Sequence, residues 1–163
     1  MRIKYSKVQS IVSNKIHIKS ISSQETYSVR HPVLRTGKPL ESCHMEGDDL
    51  DSTLHFGLYL DSSLIGVASF MGETNSIFQE SKQSRLRGMA ILKDFQGKGL
   101  GNILLNHAEK QLKNLDVSLI WCNARETAIP FYEKQGYQKH GIPFDIKEIG
   151  IHYVMFKKLQ QKP

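Results

Sequence analysis

The glycine-rich junction at residues 96–101 constrains this chain more than any other feature. An apolar strand ending at Leu92 leads into Gln96-Gly97-Lys98-Gly99-Leu100-Gly101, and an amphipathic helix follows as far as Leu115. Glycines at alternate positions, where a strand becomes a helix, let several backbone N–H groups point toward one place beside the positive end of the helix dipole. The pattern therefore predicts an anion site that suits a phosphorylated cofactor.

Two well-known phosphate-binding motifs fit this junction poorly. A P-loop requires G-x-x-x-x-G-K-[ST], whereas Gly97-Lys98-Gly99 has the wrong spacing and no Ser or Thr follows it. A dinucleotide fingerprint requires G-x-G-x-x-G, but Asn102 occupies the place of the third glycine. The next strand also ends in Trp121-Cys122-Asn123 rather than in an acidic residue. The sequence thus disfavours both of these nucleotide-binding classes.

Hydrophobic periodicity predicts the elements before the junction. Residues 15–19 alternate as a strand does, and Ser22-Ser23-Gln24-Glu25 has the spacing of a capping box that begins a helix, which Pro32 disturbs. Residues 36–53 form a long polar loop with a short helical turn, and loops of this length are usually functional or disordered. Three strands then follow, at Leu54–Leu60, Leu64–Met71 and Ser84–Leu92, with the first two forming a hairpin.

The elements after the junction alternate between helices and strands. The long helix presents one apolar face, with His107 as a boundary or core residue; its members are Leu100, Ile103, Leu104, His107, Ala108, Leu112 and Leu115. Val117–Asn123 is a buried parallel strand, and a second helix, with Pro130 in its first turn, ends at Gly136. Short strands at Tyr137–His140 and Ile151–Lys157 flank a loop around Gly141-Ile142-Pro143.

This order predicts the α/β class: one mixed sheet of six to seven strands, with helices on both faces and a right-handed strand–helix–strand crossover at the junction. The 163 residues suffice for a single domain over 1–163, in which residues 1–14 are left as an extra strand or a flexible end.

Composition narrows the class of partner. The formal charge of +6 favours anionic ligands, but Lys and Arg are scattered, which disfavours a nucleic-acid surface. No apolar run reaches the roughly 20 residues of a membrane span, and the first residues lack the apolar region of a secretory signal. Cys43 and Cys122 make neither a disulfide framework nor a metal pattern, so we expect packing cysteines, no metal and a cytoplasmic location.

Two motifs together carry a family resemblance. Gln96, Gly99 and Gly101 match the pattern Q/R-x-x-G-x-G/A, and about thirty residues later the chain reads N-A-R-E-T-A-I-P-F-Y-E-K-Q-G-Y over residues 123–137. The combination resembles the GNAT superfamily of acyl-CoA-dependent N-acetyltransferases over residues 54–158, and it extends to residues 15–35. The resemblance implies the GNAT fold, with acetyl-CoA as cofactor.

The resemblance also implies where the cofactor binds. Its pyrophosphate would lie on the backbone amides of Gln96, Gly97, Lys98, Gly99, Leu100, Gly101 and Asn102. There the glycines would leave space for the phosphates. Its pantetheine arm would pair, as an added strand, with Met89, Ala90 and Ile91, and an N–H near Ile91 would polarise the acetyl carbonyl. Asn123 either binds the pantetheine or a backbone group, or is a turn residue.

For the chemistry, the resemblance implies that Tyr132 protonates the departing thiolate, the alternative being simple packing beside Phe131. The candidates for the base that takes the amine proton are Glu46, Asp48, Asp49, Glu126 and His152. Glu126 has a competing role at a helix start, and His152 a competing structural role in a strand. No acid lies in residues 85–88, where several family members carry a glutamate base, so a chain of water molecules is another route.

The expected activity is acetyl transfer from acetyl-CoA to a primary amine, by direct attack in a ternary complex. A non-catalytic acyl-CoA sensor and an RNA-directed enzyme acting on aminoacyl-tRNA are the alternatives. The acceptor, a small molecule or a protein amine, is left open, and so is the length of the acyl group. Homodimers formed through sheet edges are frequent in the family.

Overall fold

The computed structural model describes residues 15–160, in which seven strands form a mixed sheet with helices. The strands are β1 (Ile16–Ser20), β2 (Leu54–Leu60), β3 (Ser63–Met71), β4 (Gln83–Ile91), β5 (Leu119–Arg125), β6 (Gln138–Ile146) and β7 (Gly150–Lys158). The α-helices are α1 (Tyr27–Leu34), α2 (Leu100–Asn114) and α3 (Ile129–Lys134). Their order along the chain confirms the predicted order of elements, and the predicted mixed sheet is confirmed as well.

Strand pairing follows the order β1-β2-β3-β4-β5-β7-β6. Strands β4 and β5 run parallel, with α2 as their connection, while β5 pairs antiparallel with β7, and β7 with β6. The register of β4 with β5 covers only Gln83–Arg85 opposite Leu119–Trp121, so most of β4 lies beyond it. Among residues 15–160, no helix has the length and apolar character needed to cross a bilayer.

The chain divides into two compact units. The first runs up to Ser69 and includes Gly88–His107; the second comprises Phe70–Arg87 and the chain from Ala108 onward. In the first unit, a core of Val29, Val67 and Ala90 is surrounded by partly buried apolar side chains, namely Ile21, Val33, Leu34, Leu64 and Leu92. The single domain over 1–163 stays a prediction, and the strand or flexible end considered for residues 1–14 lies outside the described residues.

The predicted capping box is confirmed in front of α1. The Ser22 N–H donates to Glu25 Oε2 (2.6 Å), and the Glu25 N–H donates to Ser22 Oγ (3.2 Å), so each residue satisfies a free donor of the other. A 3₁₀ turn at Gln24–Thr26 then leads into α1, which contains Pro32. The short helical turn predicted in the following loop is a 3₁₀ turn at Leu40–Cys43.

The apolar face of α2 is partly different from the predicted one. Leu100, Leu104, Ala108 and Leu112 are buried as expected, and His107 lies at the boundary with its ring edge-on to Phe56 (5.6 Å). The prediction was wrong for two residues and missed a third: Ile103 is 39% and Leu115 56% exposed, whereas Leu105 is fully buried. A stripe read at positions i and i+3 drifts off the buried face, because 3.6 residues make one turn.

Helix α3 ends as predicted. Pro130 is its second residue, where the missing N–H costs nothing. Gly136 has φ +88°, its N–H donates to the Glu133 carbonyl (3.0 Å), and the Tyr137 N–H donates to the Tyr132 carbonyl (3.0 Å). These two bonds form a Schellman motif, which satisfies carbonyls at the helix end.

The predicted loop around Gly141-Ile142-Pro143 is wrong. These residues lie inside β6, where the register against β7 shifts between His140 and Phe144, and the chain reverses at residues 147–149 instead. Strand β6 is at the edge of the sheet, so a proline without an N–H and a left-handed Gly141 (φ +72°) are tolerated there. The predicted short strands are therefore two nine-residue strands.

Candidate active site

The glycine junction has the backbone geometry that its sequence indicated. Gly97 and Gly99 lie in the left-handed region (φ +74° and +78°), and the Ile103 N–H donates to the Gly99 carbonyl (3.2 Å). The N–H groups of Leu100, Gly101 and Asn102 consequently belong to the first turn of α2, which has no acceptors for them within the helix. These donors stand at the positive end of a 15-residue helix.

Backbone conformation, rather than crowding within the chain, explains the glycines at 97 and 99. A Cβ placed on either residue would have no protein atom within 4 Å, but L-residues rarely adopt these φ values. The open space beside both glycines is compatible with a bound ligand. The expectation that their Cβ atoms would occupy phosphate space stays a prediction.

Two polar side chains of the glycine loop form hydrogen bonds to backbone carbonyls of preceding residues. The Gln96 side-chain amide donates to the Ile91 carbonyl (2.8 Å), which ties the start of the glycine loop to the end of β4. The Lys98 ammonium donates to the Asp94 carbonyl (3.1 Å) and lies 5.6 Å from the centre of the Phe95 ring. Both bonds join the glycine loop to the residues that precede it.

The predicted pantetheine segment lies directly before this loop. Gly88 interrupts the extended backbone of β4 with a left-handed conformation (φ +61°), and Met89, Ala90 and Ile91 follow it. Ala90 is buried in the core of the first unit, and the Leu92 N–H donates to the Ile65 carbonyl (2.8 Å). All predicted cofactor residues except Asn123 and Tyr132 therefore lie on one continuous strand–loop–helix stretch of the first unit.

The remaining predicted residues belong to the second unit. Asn123 lies on β5, half-buried and in register with Val154. Glu126 is exposed and is the first residue of a 3₁₀ turn at the end of β5. This position agrees with its alternative role at the start of a helix. His152 on β7 is in register with Arg125, the residue that precedes Glu126.

His152 is held by its own strand. The residue is 4% exposed, and its Nδ1 lies 2.7 Å from the Gly150 carbonyl oxygen, which can only accept a hydrogen bond. Nδ1 therefore carries the hydrogen, and in the neutral ring Nε2 has the lone pair that a base needs. The Phe144 ring lies 6.0 Å away, centre to centre.

Tyr132 lies on α3 and is 8% exposed, between the rings of Phe131 (5.1 Å) and Tyr137 (5.5 Å). Burial raises the pKa of its hydroxyl well above the ordinary value, and the nearby Cys122 raises it further. The hydroxyl is therefore protonated at neutral pH and can donate a hydrogen bond. Cys43 and Cys122 are both free and buried, which confirms them as packing residues.

A buried ion pair in the first unit was missed by sequence reasoning. Arg30 of α1 is fully buried, and its guanidinium contacts both carboxylate oxygens of Asp48 (2.6 and 3.0 Å). Asp48 was one of the candidate bases, but this pairing and the Met45 N–H (2.8 Å) already occupy its oxygens. The acidic residues at 46–51 indicate a basic partner. No local sequence pattern, however, identifies Arg30, which lies 18 positions before Asp48.

The same pair extends into a polar network. Arg30 also donates to the Cys43 carbonyl (2.9 Å) and to Ser69 Oγ (2.8 Å). The His55 ring bridges Ser69 Oγ (Nδ1, 2.6 Å) and the Asp48 carbonyl (Nε2, 2.8 Å). The loop that was predicted as long and polar is thus anchored by buried hydrogen bonds.

Comparison with known proteins gives concordant results. A family model for the acetyltransferase (GNAT) domain matches residues 40–159. The chain is 38% identical over 145 residues to the uncharacterized N-acetyltransferase YitI of Bacillus subtilis (strain 168), covering 89% of this chain and 97% of that protein.

Solved structures share the fold. A proposed N-acetyltransferase from Lactobacillus plantarum superposes with a TM-score of 0.75 at 22% identity, covering 90% of this chain and 100% of the other. A GNAT family acetyltransferase from Elizabethkingia anophelis, with acetyl-CoA bound, gives 0.65 at 13% identity, with 90% and 100% coverage. The family match, the relative and the shared fold lead to one conclusion: the chain belongs to the GNAT family and is an N-acetyltransferase.

Proposed function

We propose that this protein binds acetyl-CoA at the glycine junction and transfers its acetyl group to a primary amine by direct attack in a ternary complex. The observation that carries the proposal is the pair of left-handed glycines, Gly97 and Gly99, at the N-terminus of α2. Backbone donors and the helix dipole there suit a diphosphate. The related structure from Elizabethkingia anophelis was solved with acetyl-CoA, which supports the same ligand class here.

The acyl end of the cofactor would lie along β4. The register of β4 with β5 covers Gln83–Arg85, and an extended pantetheine arm would add as a strand to the later part of β4. Met89, Ala90 and Ile91 would line that arm, and the Ile91 N–H would stabilise the negative charge that develops on the thioester oxygen. Asn123 would bind the arm from β5.

Proton transfer is assigned to three of the predicted residues. The hydroxyl of Tyr132, which is protonated at neutral pH, would donate to the thiolate as CoA leaves. The amine must lose a proton as it attacks, and the Nε2 of His152 or the exposed carboxylate of Glu126 would accept it, directly or through water.

Cofactor binding is tested by calorimetric titration of acetyl-CoA into two glycine variants. Gly99→Ala should weaken binding about tenfold, because an alanine at φ +78° is strained by about 1–2 kcal/mol and the loop must change to relieve it. Gly72→Ala is the control, since Gly72 has an ordinary φ and open space around its Cβ position. Equal affinities for the two variants would refute the assignment of the cofactor site.

Turnover is tested by thiol release with a panel of primary amines. Tyr132→Phe should lower kcat about 100-fold at unchanged acetyl-CoA affinity, because only the proton donor is lost. A non-catalytic acyl-CoA sensor would instead bind acetyl-CoA, turn over no amine and show no effect of this substitution. Turnover of aminoacyl-tRNA in place of free amines, with a steep salt dependence, would favour the RNA-directed alternative.

A further inference from the structure

The guanidinium of Arg30 joins segments of the first unit that are far apart in sequence. From α1 it reaches the Cys43 carbonyl and the Asp48 carboxylate in the loop before β2, and Ser69 in β3. On β4 it lies against Gly88: a Cβ built on that glycine would be 2.8 Å from Arg30 Nε. Within residues 15–160, Nε is buried without a hydrogen-bond partner, so this side of the guanidinium only packs against the strand.

The hydrogen bonds around Arg30 have a single consistent direction. The Asp48 carbonyl can only accept, so His55 Nε2 carries the hydrogen, and in the neutral ring Nδ1 accepts from Ser69 Oγ. Ser69 Oγ accepts from Arg30 through a lone pair, which leaves its hydrogen available for His55. Removing the guanidinium would therefore take away the donor to Ser69 and the charged partner of Asp48 in one step.

A buried ion pair is weak evidence of a purely stabilising role, because apolar side chains of similar volume often stabilise a core as well or better. What an apolar side chain cannot do is join α1, the loop and β3 through directed bonds while also packing against β4 at Gly88. The contact with Gly88 comes one residue before Met89–Ile91, the segment to which the proposed function assigns the thioester.

We infer that Arg30 is a positioning residue for acetyl transfer. Its guanidinium holds the loop at residues 43–48 and the strand at Gly88 in one arrangement, and so sets the position of Met89–Ile91 relative to that loop. Only the expected change in kcat rests on the proposed function. The coupling between the loop at residues 43–48 and the strand at Gly88 does not depend on acetyl transfer.

The first test compares Arg30→Met and Arg30→Lys with the wild type, well below the unfolding temperature of every variant. Arg30→Met should lower kcat about 10- to 100-fold with the panel amine of highest turnover, since a small misplacement of the reacting groups has effects of this size. The dissociation constant for acetyl-CoA should rise by a smaller factor than kcat falls, because the proposed pyrophosphate contacts at residues 96–102 are kept even when the arm along Met89–Ile91 shifts. Arg30→Lys should recover part of the turnover.

Leu112→Ala is the matched control, because it removes a buried side chain of the second unit and destabilises the fold without touching the Arg30 network. If Leu112→Ala lowers kcat as much as Arg30→Met, or if Arg30→Met leaves kcat unchanged, the positioning role is overturned. If even the wild type turns over no amine, the proposed function fails. Hydrogen–deuterium exchange then still tests the coupling between the loop at residues 43–48 and the strand at Gly88.

That measurement is hydrogen–deuterium exchange of the backbone amides at residues 43–48. Arg30→Met should accelerate their exchange, and Gly88→Ala should do so too, although Gly88 is about forty residues away, because its new Cβ displaces the guanidinium and its φ of +61° strains an alanine. In the double variant Arg30→Met/Gly88→Ala, the two effects should be less than additive, because the part of the Gly88→Ala effect that acts through the guanidinium is already lost. Unchanged exchange in Gly88→Ala, or fully additive effects in the double variant, would overturn the inference.

Discussion

Replacing Asp48 by Asn tests the energetic importance of the buried ion pair. The carboxylate accepts two bonds from Arg30, at 2.6 and 3.0 Å, and one from the Met45 N–H, and neither side chain of the pair is exposed. An amide has one acceptor oxygen and presents an NH₂ group to the guanidinium, so a buried positive charge loses its partner. Breaking a buried pair in this way costs about 3–5 kcal/mol of unfolding free energy.

Such a loss lowers the midpoint of thermal unfolding by about 6–20 °C for a chain of this size. Unfolding in guanidinium chloride, followed by circular dichroism, measures the free energy of unfolding. Calorimetry measures the midpoint of thermal unfolding. Asp116→Asn is the control, because Asp116 pairs with Lys82 at 4.0 Å with 78% and 62% of the side chains exposed. Its loss should stay within about 0.5 kcal/mol. A loss below about 1 kcal/mol for Asp48→Asn would refute the reasoning.

The loss of unfolding free energy in Asp48→Asn should also depend on pH. Burial alone would raise the pKa of Asp48, but hydrogen bonds from Arg30 and Met45 and the charge of Arg30 outweigh it, so the folded pKa lies below the ordinary value. A depressed pKa contributes stability that is complete above the ordinary carboxyl pKa of about 4 and is lost as the pH falls through the folded pKa. The difference between wild type and Asp48→Asn should therefore narrow below about pH 4. A difference that stays constant there would contradict this assignment.

Two further predictions concern the helices. Leu104→Ala should cost about 2–5 kcal/mol, because Leu104 is fully buried, whereas Ile103→Ala should cost clearly less, since Ile103 is 39% exposed; chemical unfolding of both variants distinguishes the observed helix face from the predicted one. Gly136→Ala should cost about 1–2 kcal/mol because its φ of +88° strains an L-residue, and an unchanged midpoint would show that the end of α3 relaxes freely.

Local sequence predicted the elements whose determinants lie within a few residues of each other. The capping box at Ser22 and Glu25, the end of α3 at Gly136 and the glycine junction were all predictable, because each is a pattern of hydrogen bonds or φ angles spanning three to six positions. The loop at Gly141-Ile142-Pro143 was mispredicted for the same reason. Gly and Pro indicate a turn locally, but pairing with β7 makes this segment part of an edge strand.

The chain's family and cofactor class could thus be inferred from short motifs, since a phosphate-binding backbone is encoded by consecutive residues. The Arg30 network could not, because its members are separated by 13 to 39 positions and their pairing depends on how α1, the loop and β3 pack. Several acids in the loop offered equivalent partners for an arginine, and only the folded core selects Asp48, by excluding water from it and leaving Glu46 and Asp49 exposed. Burial, which converts a solvated acid into a structural one, is a property of the tertiary structure.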